Sequence, residues 1–355
     1  MSFLGYNSKN YKDSRGREYY FDNAKFILIF LVVLAHAVSP LKSDMPKVKA
    51  LWTVINTLHM PCLILISGYF AKSYIKNGIV KTQRLVTYFV YYLAAQLAFS
   101  LFEYFVLGHG ETMAKSVLAP RESLWYLACL CWWFLVLPYV SRLQPQYLLL
   151  AAFLFGLAIG YDTKAGDLMS ITRAINHFPF FLIGYYFKPE WFFKLRNKWT
   201  QAISVLVIAV LSILTYLNLD IIPSRIITSN YNYFKSDLKV LNSYPTMFLN
   251  RLIFYITALI LCACFMLIVP RGKAFFTKFG SRTLQVYILH RFLYFAEKEY
   301  KLYEPFRSTK GFFAMSAIAL AATLILSLKP FEYPFKLLSK INLRRFERPE
   351  ISNSK

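Results

Sequence analysis

Charged residues are scarce in this chain of 355 residues, at 17%, whereas hydrophobic residues make up 57% and aromatic residues 18%. Soluble domains carry about 25% charged residues. With so little charge and a mean hydropathy of +0.41, the chain cannot hide its apolar surface inside one soluble globule. The composition therefore predicts a polytopic membrane protein whose outer face contacts lipid.

Acidic residues are the scarcest charged type, with 18 Asp and Glu against 41 Lys and Arg, and the net charge is +23. Such an excess of positive charge could indicate nucleic-acid binding. However, the basic residues lie in short loops between apolar runs, where membrane proteins keep them. The sequence thus argues against a nucleic-acid partner and for contact with membrane lipid.

Cysteine is also rare, and its placement argues against a metal centre. No cluster of His and Cys accompanies the cysteines, and Cys129 and Cys131 are spaced i, i+2, which points them to different sides of a helix. All lie inside apolar runs and are expected to act as small buried hydrophobes. The five are Cys62, Cys129, Cys131, Cys262 and Cys264.

The chain also lacks an evident cleavable signal peptide, an internal repeat and a low-complexity segment. Residues 1–21 are polar and basic, and no small-residue cleavage site follows the first apolar run. We therefore expect 1–21 to be a cytoplasmic segment, 22–329 a transmembrane domain, and 330–355 a basic cytoplasmic tail that attracts anionic lipid.

Ten apolar runs predict an all-α fold, a polytopic transmembrane helix bundle. Lys and Arg are more frequent in the loops on the side of the N-terminus, so both termini are predicted to be cytoplasmic. The runs are 24–40, 50–70, 85–107, 124–141, 146–160, 171–187, 202–221, 249–269, 283–296 and 311–329. The longest connection, 222–248, is predicted on the outer side, as either a sugar-binding surface or an ordinary loop.

The first apolar run, YFDNAKFILIFLVVLAH at 20–36, contains ionisable residues that are costly inside a membrane. Lys25 and His36 are eleven residues apart, and eleven steps of ~100° return to the same side of a helix. Asp22 lies on that side too. At ~1.5 Å per residue, His36 is ~16 Å from Lys25. The pattern predicts a polar line with Lys25 at the cytoplasmic interface and His36 around or beyond the bilayer middle.

A second histidine, His59, is predicted at a similar depth on the next, antiparallel helix, beside Pro61. Proline inside a helix frees a backbone carbonyl, which adds polarity at that level. Two histidines at one depth favour a functional site in the membrane. The alternative is that each ring only forms a hydrogen bond across the bundle.

Two basic residues, Lys81 and Arg84, precede the third run. If helical, they share a face, and such a pair suits the phosphates of a ligand. Ordinary cytoplasmic positive charge is the alternative interpretation, and it accounts less well for Arg84, at the rim of a span.

Further candidates are predicted toward the outer side. RESLWYL at 121–127 brings Glu122 and Trp125 to the start of the fourth run, while His177 and His290 lie near the outer ends of later runs. Trp125 alone would fit an interfacial aromatic belt. The two histidines could be walls of a site, although snorkelling or loop contacts are the simpler explanation.

In this order and spacing, the motifs resemble the acyltransferase-3 family of integral membrane O-acyltransferases, and within it the sugar O-acetylating group such as fucose 4-O-acetylases. The family's pattern of a basic residue, ten residues and a histidine is matched by Lys25 and His36. Lys81 and Arg84 fall where the family has an Arg-x-x-Arg pair. The stretches LHMP (58–61), SGYF (67–70), LWYL (124–127) and LQVYILH (284–290) also look familial.

The chain departs from that pattern in three ways. Positions 25 and 81 hold lysine instead of arginine, so a phosphate clamp would lack the bidentate fork. Cys-Leu stands at 62–63 where an aromatic is common. The esterase-like domain fused to some relatives is absent, so this chain would have to complete the transfer itself or pass the acyl group to a separate protein.

The resemblance implies transfer of acetyl from cytoplasmic acetyl-CoA to a sugar of an envelope polysaccharide, or to its lipid-linked precursor, in a bacterial plasma membrane. No metal is expected. Lys81, Arg84 and Lys25 would hold the CoA phosphates. His36 would be a general base or an acyl-carrying nucleophile, with His59 orienting it or stabilising the oxyanion and Asp22 orienting Lys25. Trp125, Glu122 and His290 would bind the acceptor.

The sequence is also compatible with two other classes of function. A transporter or flippase without chemistry could use buried charges for proton coupling, although no inverted repeat is evident. A scaffold or sensor would tolerate substitution of Lys25, His36 and Arg84 together, which the cost of polarity in a membrane argues against.

Overall fold

The computed structural model describes residues 18–76, 79–109, 117–162, 168–222, 227, 232–235 and 243–341. Within those residues the regular secondary structure is helical apart from one two-residue ladder, which pairs β1 (Ile75–Lys76) with β2 (Ile79–Val80) in antiparallel fashion. The helices are α1 (Tyr19–Ala37), α2 (Pro46–Ala71), α3 (Gln83–Phe105), α4 (Trp125–Val140), α5 (Pro145–Ala158), α6 (Ile171–Tyr186), α7 (Pro189–Leu195), α8 (Lys198–Leu217), α9 (Phe248–Ile268), α10 (Thr283–Glu299), α11 (Thr309–Leu326) and α12 (Tyr333–Ser339).

Each of the ten predicted runs coincides with a helix, so the predicted all-α polytopic class is confirmed. Seven helices in the described part are long and apolar enough to cross a membrane. They are α1, α2, α3, α4 with its preceding turn, α8, α9 with its preceding turn, and α11. The helices α5, α6 and α10 are shorter, with 14, 16 and 17 residues. The number of crossings therefore stays a prediction.

Two short helices appear where the sequence predicted no span. Helix α7 begins at Pro189 and α12 has Pro334 near its start. Proline suits the first turn of a helix because the N–H that it lacks would have no intrahelical partner there. Helix α12 opens the predicted tail 330–355, whose residues from 342 on lie outside the described part, as does most of the loop 222–248 and nearly all of 1–21.

The described residues form two compact units. The first takes its residues from Met1–Ile66, Phe187–Thr228 and Ser236–Leu328. Here α1 packs against α10 and α11, while α8 packs against α9. Helix α1 is apolar nearly all round and has few exposed residues, as expected for a helix enclosed by others. Helix α8 is the opposite case, since nearly all its apolar residues are exposed and available to lipid.

The second unit comprises Ser67–Tyr186, Ser229–Lys235 and Lys329–Lys355. In it α4 packs against α3 and α6, α5 packs against α6, and α12 packs against α3. The rings of Trp133 and Phe181 stack at 5.0 Å in its interior. Gly68 lies directly against the Phe181 carbonyl, so a side chain at position 68 would collide with the α6 backbone.

Candidate active site

The polar line of α1 is present in the first unit. Lys25 Nζ lies 2.9 Å from Asp22 Oδ1, and the two side chains are only 19% and 7% exposed. His36 lies in the last turn of the helix, which ends at Ala37. Lys25 and His36 are thus separated by ~16 Å of helix axis, one near each end of α1. Whether Lys25 and Asp22 take part in catalysis stays a prediction.

The Lys25 end of α1 is held by the segment that precedes α10. Asn23 is completely buried, and its amide nitrogen donates to the carbonyls of Pro270 and Gly272 at 2.9 and 2.8 Å. Its amide oxygen accepts from Thr277 Oγ1 at 2.6 Å. Gly280 lies against the Asp22 backbone so closely that a Cβ there would collide with it. The position of Lys25 therefore depends on this distant segment.

At the other end of α1, His36 lies in a cluster of basic and aromatic side chains from α10. Arg291 Nη1 donates to His36 Nδ1 at 3.1 Å. The His36 ring is 5.2 Å from the ring of His290 and 5.4 Å from that of Tyr294. Arg291 and His290 are 0% and 2% exposed, whereas His36 is partly exposed. An imidazole is thus fixed by a buried guanidinium at one edge and remains partly accessible.

Arg291 is the site residue that the sequence reasoning missed. Its guanidinium carbon lies 4.4 Å from the centre of the Tyr294 ring and 5.1 Å from that of Phe295. Contact with aromatic faces lowers the cost of burying a cation. The available signal was an arginine inside an apolar run, directly after His290 in LQVYILHR.

His59 belongs to the same neighbourhood. It is 3% exposed, and its Nδ1 lies 2.6 Å from the carbonyl of Ile55 on the preceding turn of α2. It lies close enough to His36 and His290 for their charges to interact. Pro61 lies inside α2, where its ring leaves the Thr57 carbonyl without the usual intrahelical donor. His36, His59 and His290 therefore share one neighbourhood of the first unit, and a catalytic role for His59 stays a prediction.

Lys42 adds a further positive charge just beyond the end of α1. Its ammonium lies 3.9 Å from the centre of the Trp52 ring. Burial lowers the pKa of Lys42, and the neighbouring Lys49 charge lowers it further. Lys42 is near enough to His36 for electrostatic interaction, so with Arg291 it makes this end of α1 electropositive, which suits an anion or a developing oxyanion.

The second unit holds the predicted phosphate residues. Lys81 does not lie on α3, which begins at Gln83, so the expected helical face shared with Arg84 is wrong. Lys81 is exposed and follows β2, and its backbone N–H donates to the Tyr74 carbonyl at 2.9 Å. Arg84 Nη1 donates to the Phe70 carbonyl in the last turn of α2 at 3.0 Å. That contact caps α2 and uses one of five guanidinium donors.

The predicted acceptor residues Glu122 and Trp125 also lie in the second unit. Trp125 is partly exposed and packs between two side chains of α6, with His177 at 5.3 Å between rings and Arg173 at 5.1 Å. His177 is buried here, so snorkelling is wrong for it, while loop contacts and a role as a wall of the site stay predictions. Glu122 is exposed and has a φ of 47°, a rare conformation for a residue other than glycine.

The third predicted acceptor residue, His290, lies in the first unit beside His36. Its side chain is buried within the histidine cluster and does not extend to the surface. Snorkelling is therefore wrong for His290 too, and a role in the site stays a prediction.

A family model described as an acyltransferase domain, acyltransferase-3, matches residues 18–328. The chain belongs to the acyltransferase-3 family. It is therefore a membrane acyltransferase, and the resemblance seen in its motifs is confirmed at the level of the family. No curated protein and no solved structure gives a significant match to the chain.

The matched segment includes every candidate residue of both units of this acyltransferase. Among the described residues, no group of three or more His, Cys, Asp and Glu side chains is arranged to hold a metal ion. The five cysteines are free thiols and all are buried. One of them, Cys262, lies with its sulfur 3.9 Å from the Leu58 carbonyl, a packing contact between α9 and α2.

Proposed function

We propose that this acyltransferase moves an acetyl group from cytoplasmic acetyl-CoA to a hydroxyl of a sugar in a cell-envelope polysaccharide or its lipid-linked precursor. The observation that carries the proposal is the partly exposed His36 imidazole, fixed by buried Arg291 at the end of a membrane helix. Acyl transfer needs a proton acceptor for the attacking hydroxyl and a positive environment for the oxyanion. This cluster offers both.

The donor side of the proposal rests on basic residues. The phosphates of CoA are anionic, and Lys25 in the first unit and Lys81 and Arg84 in the second are the predicted phosphate ligands. The pantetheine arm of CoA spans on the order of one membrane leaflet, comparable to the ~16 Å between Lys25 and His36 on α1. A thioester could therefore react near His36 while the phosphates stay at the Lys25 end.

The reaction is balanced without any further reagent. The sugar oxygen attacks the thioester carbonyl while a neutral imidazole takes the hydroxyl proton. The tetrahedral oxyanion then collapses, the carbon–sulfur bond breaks, and the CoA thiolate takes up the proton. The alternative route, in which His36 first carries the acetyl group, uses the same residues. Trp125 of the second unit stays the predicted aromatic contact of the acceptor sugar.

Membranes containing the protein, incubated with acetyl-labelled acetyl-CoA and envelope polymer, test the proposal directly. We expect label in the polymer, and its loss in the His36→Ala variant at equal protein level. NMR of envelope polymers from a deletion strain should show missing O-acetyl signals. A transporter without chemistry would leave no acetylated product in either experiment, and that result would refute the proposal.

A further inference from the structure

The hydrogen bonds of the histidine cluster assign a different role to each ring. We infer that His290 Nε2, instead of His36, accepts the proton of the attacking hydroxyl, while His36 donates a hydrogen bond from Nε2–H to the thioester oxygen. Arg291 is the positioning residue that keeps His36 in this tautomer. The inference rests on the acyl transfer proposed above and deepens it by naming the base.

The tautomer of His36 follows from its partner. A guanidinium has donors and no acceptor, so the 3.1 Å contact from Arg291 Nη1 requires a lone pair on His36 Nδ1. A neutral imidazole has one N–H, which must then be on Nε2. A nitrogen that already carries a proton cannot accept one. His36 in this arrangement is a hydrogen-bond donor to the reacting centre.

The tautomer of His290 is the opposite one. Its Nδ1 lies 2.9 Å from the Val286 carbonyl, an acceptor only, so Nδ1 carries the hydrogen and Nε2 has the lone pair. Within the described residues, His290 Nε2 is buried and has no hydrogen-bond partner. A buried lone pair without a donor is costly, and a substrate hydroxyl would supply the donor.

The titratable and charged groups facing this nitrogen come from three helices and the turn after α1. Arg291 and Tyr287 flank His290 on α10, His36 faces it from α1 and His59 from α2, with Lys42 beyond His36. His59 has the same local arrangement as His290, since its Nδ1 lies 2.6 Å from the Ile55 carbonyl. The ring of His290 is nevertheless the one in contact with His36, at 5.2 Å.

Each proton in the step has a donor and an acceptor. The hydroxyl oxygen bonds to the acetyl carbon as its proton passes to His290 Nε2. The carbonyl oxygen becomes an oxyanion held by His36 Nε2–H, with the Arg291 charge behind it. Collapse re-forms the carbonyl and breaks the carbon–sulfur bond, and His290 returns its proton to the departing thiolate.

Three variants separate the two assignments in the labelled acetyl-transfer assay. His36→Gln keeps an N–H donor near the position of Nε2 and removes the basic nitrogen, while His36→Ala removes both. His290→Asn keeps a donor for the Val286 carbonyl and removes Nε2. We expect His36→Gln to be on the order of 10²-fold more active than His36→Ala. We expect His290→Asn to lose about 10²–10⁴-fold. His109→Asn, at an exposed position, is the control and should retain wild-type activity.

The pH dependence of kcat/KM provides an independent readout. The acidic limb of the profile, which reports the base, should persist in His36→Gln and disappear or shift in His290→Asn. The inference is overturned if His36→Gln is as inactive as His36→Ala while His290→Asn keeps near wild-type activity. That outcome can be observed only if the wild-type protein is active, so it would not contradict the proposed acyl transfer. Wild-type membranes without any transfer would instead refute the proposed function.

Arg291 has its own test as a positioning residue. Arg291→Met removes the donor to His36 Nδ1 and keeps an apolar side chain against Tyr294 and Phe295. We expect kcat to fall with little change in KM for acetyl-CoA, and Arg291→Lys to restore part of kcat. Equal losses in both variants, accompanied by a lower melting temperature, would indicate a purely structural role and overturn the positioning role.

Discussion

Replacing Gly280 by alanine should disturb the Lys25 end of α1, which is the proposed donor end, although no candidate residue is itself substituted. Gly280 has ordinary right-handed backbone angles, so alanine meets no conformational penalty there. The new Cβ would, however, overlap the Asp22 backbone, including its Cα at 2.7 Å, whereas real Cβ atoms essentially never approach heavy atoms within 3.0 Å. The backbone fixes the position of the new Cβ, and the Asp22 atoms that it meets are backbone atoms, so no side-chain rotation relieves the contact.

The size of the effect follows from that geometry. To restore ordinary contact, the start of α1 and the segment around Gly280 must separate by on the order of 1 Å, and overpacking of this kind costs about 1–3 kcal/mol. Displacement of a positioning group by about 1 Å can lower a rate by about 10²-fold. We therefore expect Gly280→Ala to lower the melting temperature in detergent and to raise KM for acetyl-CoA through the moved Lys25.

The matched control lies eight residues earlier in the same segment. Gly272 has no heavy atom within 4 Å of the Cβ that alanine would add, although its carbonyl also accepts from Asn23. Gly272→Ala should therefore match the wild type in both measurements. If Gly280→Ala keeps the wild-type melting temperature and KM, the tight packing of this segment against α1 is not what positions Lys25, and the reasoning fails.

Three further predictions concern single side chains. Asn23→Ala removes the hydrogen-bond partner of the Thr277 hydroxyl and of two backbone carbonyls. It should lower the free energy of unfolding by about 2–4 kcal/mol. An unchanged denaturation midpoint would contradict the contribution of those hydrogen bonds. Lys25→Met should raise KM for acetyl-CoA more than it lowers kcat, with Lys25→Arg as the conservative control; an unchanged KM would remove Lys25 from donor binding. Trp125→Ala should raise KM for the acceptor by about tenfold or more while Trp125→Phe retains most of the affinity, and equal acceptor KM values in all three proteins would refute stacking.

The class of fold and the polar side of α1 could be predicted because both depend on local patterns. Apolar runs of about 20 residues define membrane helices, and an eleven-residue interval returns to the same face of a helix. The contact between Lys25 and Asp22 follows from a spacing of three in the same way. Such inferences need only the geometry of one helix.

The partners of those residues could not be predicted, because they come from distant parts of the chain. Arg291 is 255 positions from His36, and Thr277 is 254 positions from Asn23. The sequence does not state that α10 packs against α1, so neither contact follows from a local pattern. The helical face that Lys81 would share with Arg84 does not form for a different reason, since a short ladder and a turn precede α3, which begins at Gln83.

The two long-range contacts together suggest how the ends of α1 are coupled. One continuous stretch holds both, since Thr277 binds Asn23 near Lys25, and Arg291 binds His36. Thr277 precedes Arg291 as Asn23 precedes His36, so the stretch 277–291 and α1 run in the same direction, although only the part from Thr283 on belongs to α10. A shift of α1 along this stretch would therefore strain both contacts at once. A substitution at Asn23 should therefore alter kcat as well as stability.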